Sequence, residues 1–198
     1  MQDKIDNITR LLFEADLPKR VRDRVITYFH WKLSSPTRHL DSMVKGLPEH
    51  ISAILKMRIY SNAMYVQTRE YAGRASVKLQ PVLAGLCNPL LVRLVQALQV
   101  NDFMPGQLMI EDGDFSDGLQ WIWTGTFEIL DCEGKHEVSN VHEGMMLGEN
   151  CLVKGSPKNC CSIRASAWSN VLKLRLDEMS KVFLGYDRDL HWLMSFAE

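Results

Sequence analysis

The chain has 198 residues, 46% of them hydrophobic and 24% charged, with a formal net charge of −1 at pH 7. That balance describes a globular protein long enough to bury a sizeable core, and it excludes whole-chain disorder, collagen-like repetition and coiled-coil bias. No apolar run approaches the ~20 residues of a membrane-spanning helix, and the opening MQDKIDNITRLLFEADLPKR is charged throughout, without a signal-peptide stretch. The expected compartment is the cytosol.

The first half reads as helices. Ile5, Ile8, Leu11 and Leu12 fall at helical spacing. Pro18 sits where a helix can start at no cost in hydrogen bonds, and Val21, Val25 and Phe29 follow at i, i+4 and i+8. Ser34-Ser35-Pro36 breaks the pattern. A short helix is expected from about Leu40 to Lys45, closed by Gly46. Pro48 opens another, with Ile51, Ile54, Leu55 and Ile59 as its apolar stripe. Residues 61–80 are polar and read as helical only weakly. Asn88-Pro89 caps a helix carrying Leu90, Leu91, Leu94, Val95 and Leu98.

After Phe103 the period shortens to two. Pro105-Gly106 is a turn, Leu108–Ile110 a short strand, and Gly113-Asp114 a second turn. Leu119, Trp121 and Trp123 alternate onto one face, and after Gly125 the alternation resumes at Phe127 and Ile129. Further strands are expected at 138–141, 163–167 and 171–174, before Asp177 caps a helix through Val182 and Phe183. Short strands separated by regular turns predict a small antiparallel barrel or roll.

Charge divides the chain. Residues 1–80 hold 14 Lys/Arg against 8 Asp/Glu, whereas 81–198 hold 9 against 16; ten acids and one base, Lys135, lie between Glu111 and Glu149. A basic half can face an anionic partner or simply present solvated helix faces. The five cysteines are odd in number and two are adjacent, Cys160-Cys161, which fits reduced thiols better than a disulfide framework or a zinc site. No GxSxG, P-loop or GxGxxG is present, so an enzyme is not expected. The basic half also lacks the aromatic interleaving and helix-turn-helix pattern of a nucleic-acid reader.

The order Pro105-Gly106, Ile110, Gly113-Asp114, Trp121-Ile122-Trp123, Gly125, then Phe127 and Ile129, resembles the cyclic-nucleotide-binding β-roll. Leu147-Gly148-Glu149-Asn150-Cys151-Leu152 resembles the start of that family's phosphate-binding cassette, and Lys158-Asn159-Cys160-Cys161-Ser162-Ile163 its end. Upstream, LPKRVRDRVITYFHWKL followed by GLPEHISAIL resembles the C-linker of cyclic-nucleotide-gated, pacemaker and ether-à-go-go type channels. The resemblance implies an α+β chain: a helical C-linker at 1–80, then, at 81–198, an antiparallel, jelly-roll-like β-roll flanked by helices.

A cyclic nucleotide offers a ribose hydroxyl and one phosphate charge. Its pocket needs a carboxylate, backbone N–H groups and a cation. By resemblance Glu149 is the ribose acid and Gly148, Glu149, Asn150 and Cys151 are the N–H cradle. The phosphate-binding Arg falls on Lys158 when counted from Pro157 and on Asn159 when counted back from Ile163, beside Cys160. In either register the Arg is missing; Lys supplies a point charge and Asn neither charge nor fork. Glu149 is equally readable as a structural acid at a helix start. The family's closing helix is represented by its opening turns, Asp187 to Trp192, where Trp192 reads as a packed residue rather than a lid.

The implied function is the cytoplasmic gating module of a plasma-membrane, tetrameric voltage-gated cation channel. Its partners are other subunits of a homo- or hetero-tetramer, and Arg20, Arg22 and Arg24 are the candidate interface. Weak or absent binding of cyclic AMP or cyclic GMP is expected, with no other cofactor, no metal and no nucleic acid. The alternatives are a working nucleotide sensor on a channel or voltage-sensor-bearing exchanger, and a pure assembly domain.

Overall fold

The computed structural model describes residues 2–34, 44, 46–69, 75–131, 137–153 and 158–195. They form two compact units, Met1–Pro48 and Glu49–Glu198. In the first, α1 (Gln2–Glu14) packs on α2 (Lys19–Ser34). The reversal between them uses a left-handed residue, Asp16 at φ 48°, a conformation that short polar side chains tolerate. The Arg22 guanidinium lies 4.2 Å from the centre of the Phe13 ring, tying the two helices together. Of the helix expected at Leu40–Lys45, only Val44 lies within the described residues.

The second unit opens with α3 (Glu49–Ile59) and the single turn α4 (Ser61–Met64). The expected apolar stripe of α3 is not its buried face. Ile51 and Ile54 are exposed, whereas Ser52, Ala53 and Lys56 are buried. The reason is polar pairing with α6 (Asn88–Ala97). Gln96 Nε2 donates to the Ser52 hydroxyl and to the Glu49 carbonyl, both at 2.9 Å, and Lys56 Nζ donates to the Gln96 carbonyl at 3.4 Å. Burial of these groups is tolerated because each finds a partner.

Residues 61–80 are mostly not helical. After α4 the chain forms a hairpin, β1 (Tyr65–Arg69) with β2 (Ala75–Leu79), in the register Tyr65↔Leu79 to Arg69↔Ala75. Gln80 closes it: its side-chain amide donates to the Ala63 carbonyl and, at 2.5 Å, to the Gly144 carbonyl. The short helix α5 (Pro81–Ala84) then leads into α6.

Eight strands follow: β3 (Gln99–Phe103), β4 (Leu108–Ile110), β5 (Gly118–Thr124), β6 (Phe127–Leu130), β7 (Glu137–Val141), β8 (Met146–Leu147), β9 (Ser162–Ala165) and β10 (Ser169–Arg175). They make two four-stranded antiparallel sheets, ordered β3-β10-β5-β8 and β4-β9-β6-β7. Phe103, Ile110, Ile122, Phe127, Val141, Ile163, Ala165 and Val171 form a core cluster, with Phe103 and Phe127 edge to face at 5.7 Å. Strand β5 is buried along both faces rather than one. One face joins the sheet core; on the other, Trp123 donates from Nε1 to the Ile59 carbonyl at 3.1 Å and meets Tyr60 edge to face at 5.0 Å.

The chain ends in α7 (Leu176–Val182) and α8 (Asp187–Met194). Trp192 packs against the turn after α5: its Nε1 donates to the Val82 carbonyl at 3.2 Å, and a Cβ on Gly85 would lie 2.0 Å from its ring. Asp177 does not cap α7 but pairs with Arg175 at 3.1 Å, while Asp189 of α8 accepts the Cys87 N–H at 2.8 Å, just ahead of α6. Asn88 is the first residue of α6 rather than its cap.

Candidate functional site: the turn after β8

Strand β8 pairs with β5 at Gln120↔Leu147 and delivers the chain to Gly148. Gly148 is left-handed, φ 86°, and a Cβ there would lie 2.3 Å from the Gly118 carbonyl oxygen and 3.0 Å from the Ser116 hydroxyl. Both conditions admit only glycine. The sharp bend starts a 3₁₀ turn, Glu149–Leu152, whose first bond runs from the Cys151 N–H to the Gly148 carbonyl at 3.1 Å. Ser116 donates to the same carbonyl at 2.9 Å. The Cys151 N–H is therefore already engaged within the turn.

Within the turn, Cys151 is buried. Burial pushes its thiol up to about 11, outweighing the opposing hydrogen bond from Ser116, so it stays neutral across physiological pH. Burial also raises the half-exposed Cys161, aided by its neighbour Cys160, which is itself exposed.

Glu149 is the exception to local satisfaction. Its Oε2 is buried and has no hydrogen-bond partner among the described residues. A structural acid at a helix start would spend that oxygen on an amide. An unmet buried acceptor costs about 1–3 kcal/mol, and a hydroxyl-bearing ligand is one way to relieve it.

The far end of the segment is arranged differently. Lys158 is exposed and forms a bridge with Phe115; its Nζ lies 5.5 Å from the centre of the Phe115 ring. Asn159 donates its N–H to the Asp114 carbonyl at 2.8 Å and accepts the Gly113 N–H at 2.9 Å. The backbone of 158–159 is thus committed to the 113–115 turn. Phe115, Ser116 and Gly118, which shape both ends, carried no signal in the sequence beyond turn chemistry.

Arg20 and Arg24 are exposed on α2, but Arg22 is not freely presented, being half-buried over Phe13. Among the described residues no group of three His, Cys, Asp or Glu is placed to hold a metal, and no helix is long and apolar enough to cross a membrane.

Residues 100–186, spanning β3 to the end of α7, match the cyclic nucleotide-binding domain. A Caenorhabditis elegans cyclic nucleotide-gated channel is 24% identical over 87% of this chain and 23% of its own length. Human cyclic nucleotide-gated channel alpha-3 is 23% identical over 93% of the chain and 26% of its own length, and the chicken rod photoreceptor subunit alpha 23% identical over 93% and 28%. The chain spans about a quarter of the length of these curated relatives. The chain is thus similar to the cyclic nucleotide-binding domain over residues 100–186 and to cyclic nucleotide-gated channels over most of its length.

Proposed function

We propose that the chain is the cytosolic regulatory module of a tetrameric cation channel and that its roll binds a cyclic nucleotide weakly. The observation that carries this reading is the buried, unmet Oε2 of Glu149. It is a carboxylate acceptor at the start of the segment that resembles the phosphate-binding cassette, with the chemistry a ribose 2′-hydroxyl requires. Weakness follows from the other end, where Lys158 covers Phe115 and Asn159 brings no charge. A charge-assisted phosphate contact is worth about 1.5–3 kcal/mol, so its loss weakens binding about tenfold to a hundredfold.

The helices α1 to α4 serve as the linker in this reading, with the 65–79 hairpin after them. Exposed Arg20 and Arg24, together with the exposed Ile51 and Ile54 of α3, support contacts with neighbouring subunits. Such contacts are weak in an isolated segment, because the pore supplies the effective concentration. Sedimentation at high protein concentration tests this part: reversible association that is lost on charge reversal at Arg20 and Arg24 supports it, and a strict monomer counts against it.

Calorimetric titration with cyclic AMP and cyclic GMP tests the pocket. Saturable heat with Kd on the order of millimolar, lost in Glu149→Gln, is the expected result. No heat with either nucleotide overturns nucleotide binding and leaves an assembly domain. Binding unaffected by Glu149→Gln overturns the assignment of that carboxylate.

A further inference from the structure

A cavity of about 250 Å³ opens in the second unit, on the side of the roll where β4, the 111–117 turn and residue 159 meet. Its polar lining includes Glu111, Asp114, Asp117, Gln120, Asn159 and Lys173. Three carboxylates face one ammonium, and Lys173 is already paired with Asp117 at 2.5 Å. The cavity therefore holds an excess of negative charge, with the Glu111 and Asp114 carboxylates unpaired among the described residues.

Acidity alone would be a solvated turn. The second observation is Gln120. It is only 4% exposed, lines the cavity, and its side-chain amide has no hydrogen-bond partner among the described residues. The tip of an otherwise buried side chain is therefore open to the cavity, and a solute that enters can take the place of water on its donors and acceptor. Beside it Phe115 lines the same cavity with a ring that already attracts a cation, the Lys158 ammonium at 5.5 Å.

We propose that this cavity is a binding site for a small organic cation bearing N–H donors, a guanidinium or a primary ammonium. Carboxylates of Glu111 and Asp114 take charge-assisted bonds, and the Gln120 carbonyl takes a further N–H at the closed end. The apolar lining of Met109 and Ile110 accepts a short alkyl stem. A planar guanidinium suits this mixture best, because its donors fan out in a fixed fork. The site lies outside the nucleotide reading and stands without it. Ser116, however, lines the cavity and also donates to the Gly148 carbonyl, so an occupant would sit one side chain from the cassette.

The same chemistry is available from a free cation or from an arginine of a second copy, since Arg20 and Arg24 are exposed on a basic segment. Titration of the isotope-labelled full chain by NMR distinguishes them. Methylguanidinium is expected to shift the Gln120 side-chain amide and the backbone amides of 109–120 saturably, with Kd on the order of millimolar. Tetramethylammonium, equal in charge but without N–H donors, leaves them unmoved. Asp114→Asn and Gln120→Leu each weaken the response about tenfold; Asp114 is exposed, so the first variant tests the site even if the second does not fold.

Unlabelled wild-type chain forms the second arm. If it moves the same resonances and the Arg20→Ala/Arg24→Ala variant does not, a second copy supplies the cation. If methylguanidinium alone moves them, the ligand is free. Either result supports the site. Absence of a saturable shift in both arms overturns it, as does an equal response to tetramethylammonium or a response that survives Asp114→Asn.

Discussion

The two ends of the cassette obey opposite rules. At Gly148–Leu152 the backbone is forced by a left-handed glycine and a carbonyl held by Ser116, and one Glu149 carboxylate oxygen has no hydrogen-bond partner among the described residues. At Lys158–Asn159 the chain is satisfied by its own surroundings, through backbone bonds to Gly113 and Asp114 and a cation over Phe115. One end keeps a buried acceptor unmet among the described residues, and the other is closed by internal partners. Likeness to a ligand-binding domain over residues 100–186 does not require that both ends of the segment keep the same chemistry.

The largest effect is expected from breaking the first end. Gly148→Ala adds a Cβ 2.3 Å from a backbone oxygen at φ 86°, and should cost about 3 kcal/mol or more, seen as a large drop in melting temperature. Next comes Cys151. Its pKa is raised from 9.0 to about 11, so at pH 8 it should alkylate about a hundredfold more slowly than an ordinary thiol, while exposed Cys160 reacts freely. Because the folded state holds this proton more tightly, the stabilisation is complete below pH 9 and is lost as pH rises toward 11. Stability measured against pH in Cys151→Ala should lack that loss.

Sharpening the second end should give smaller changes. Asn159→Arg restores charge at one of the two candidate phosphate positions and is expected to tighten cyclic-nucleotide binding about tenfold by calorimetry. If Lys158→Arg does so instead, the register counted from Pro157 is the correct one. Smallest of all, Lys158→Ala removes an exposed cation–ring contact and should change stability by about 0.5 kcal/mol in chemical denaturation.

The legible parts of the fold were those coded locally. Pro105-Gly106, Gly113 and Gly125 mark turns because a positive φ or a fixed one is needed there, and alternation located β4 to β6. Strand β3 was not legible: Asn101 and Asp102 interrupt any alternation, and Asp102 is accommodated because Asn170 of β10 donates to it at 2.8 Å. The buried face of α3 departs from its apolar stripe for the same reason, since Gln96 rescues Ser52 and Lys56 from far along the chain. Within the candidate site, Glu149 and Gly148 were visible as residues. That Glu149 is left unmet, and that 158–159 closes on 113–115, depends on tertiary neighbours that no local pattern records.

Gln80 has a consequence for the time-dependence of the structure. One amide group grips the carbonyls of Ala63, at the end of α4, and Gly144, in the turn that leads to β8. Neither carbonyl can be released to water without freeing a buried side chain that is only 4% exposed. Opening of the helix end therefore exposes the turn, and hydrogen exchange at residues 61–64 and 142–147 should proceed with a shared protection factor, as a single cooperative unit.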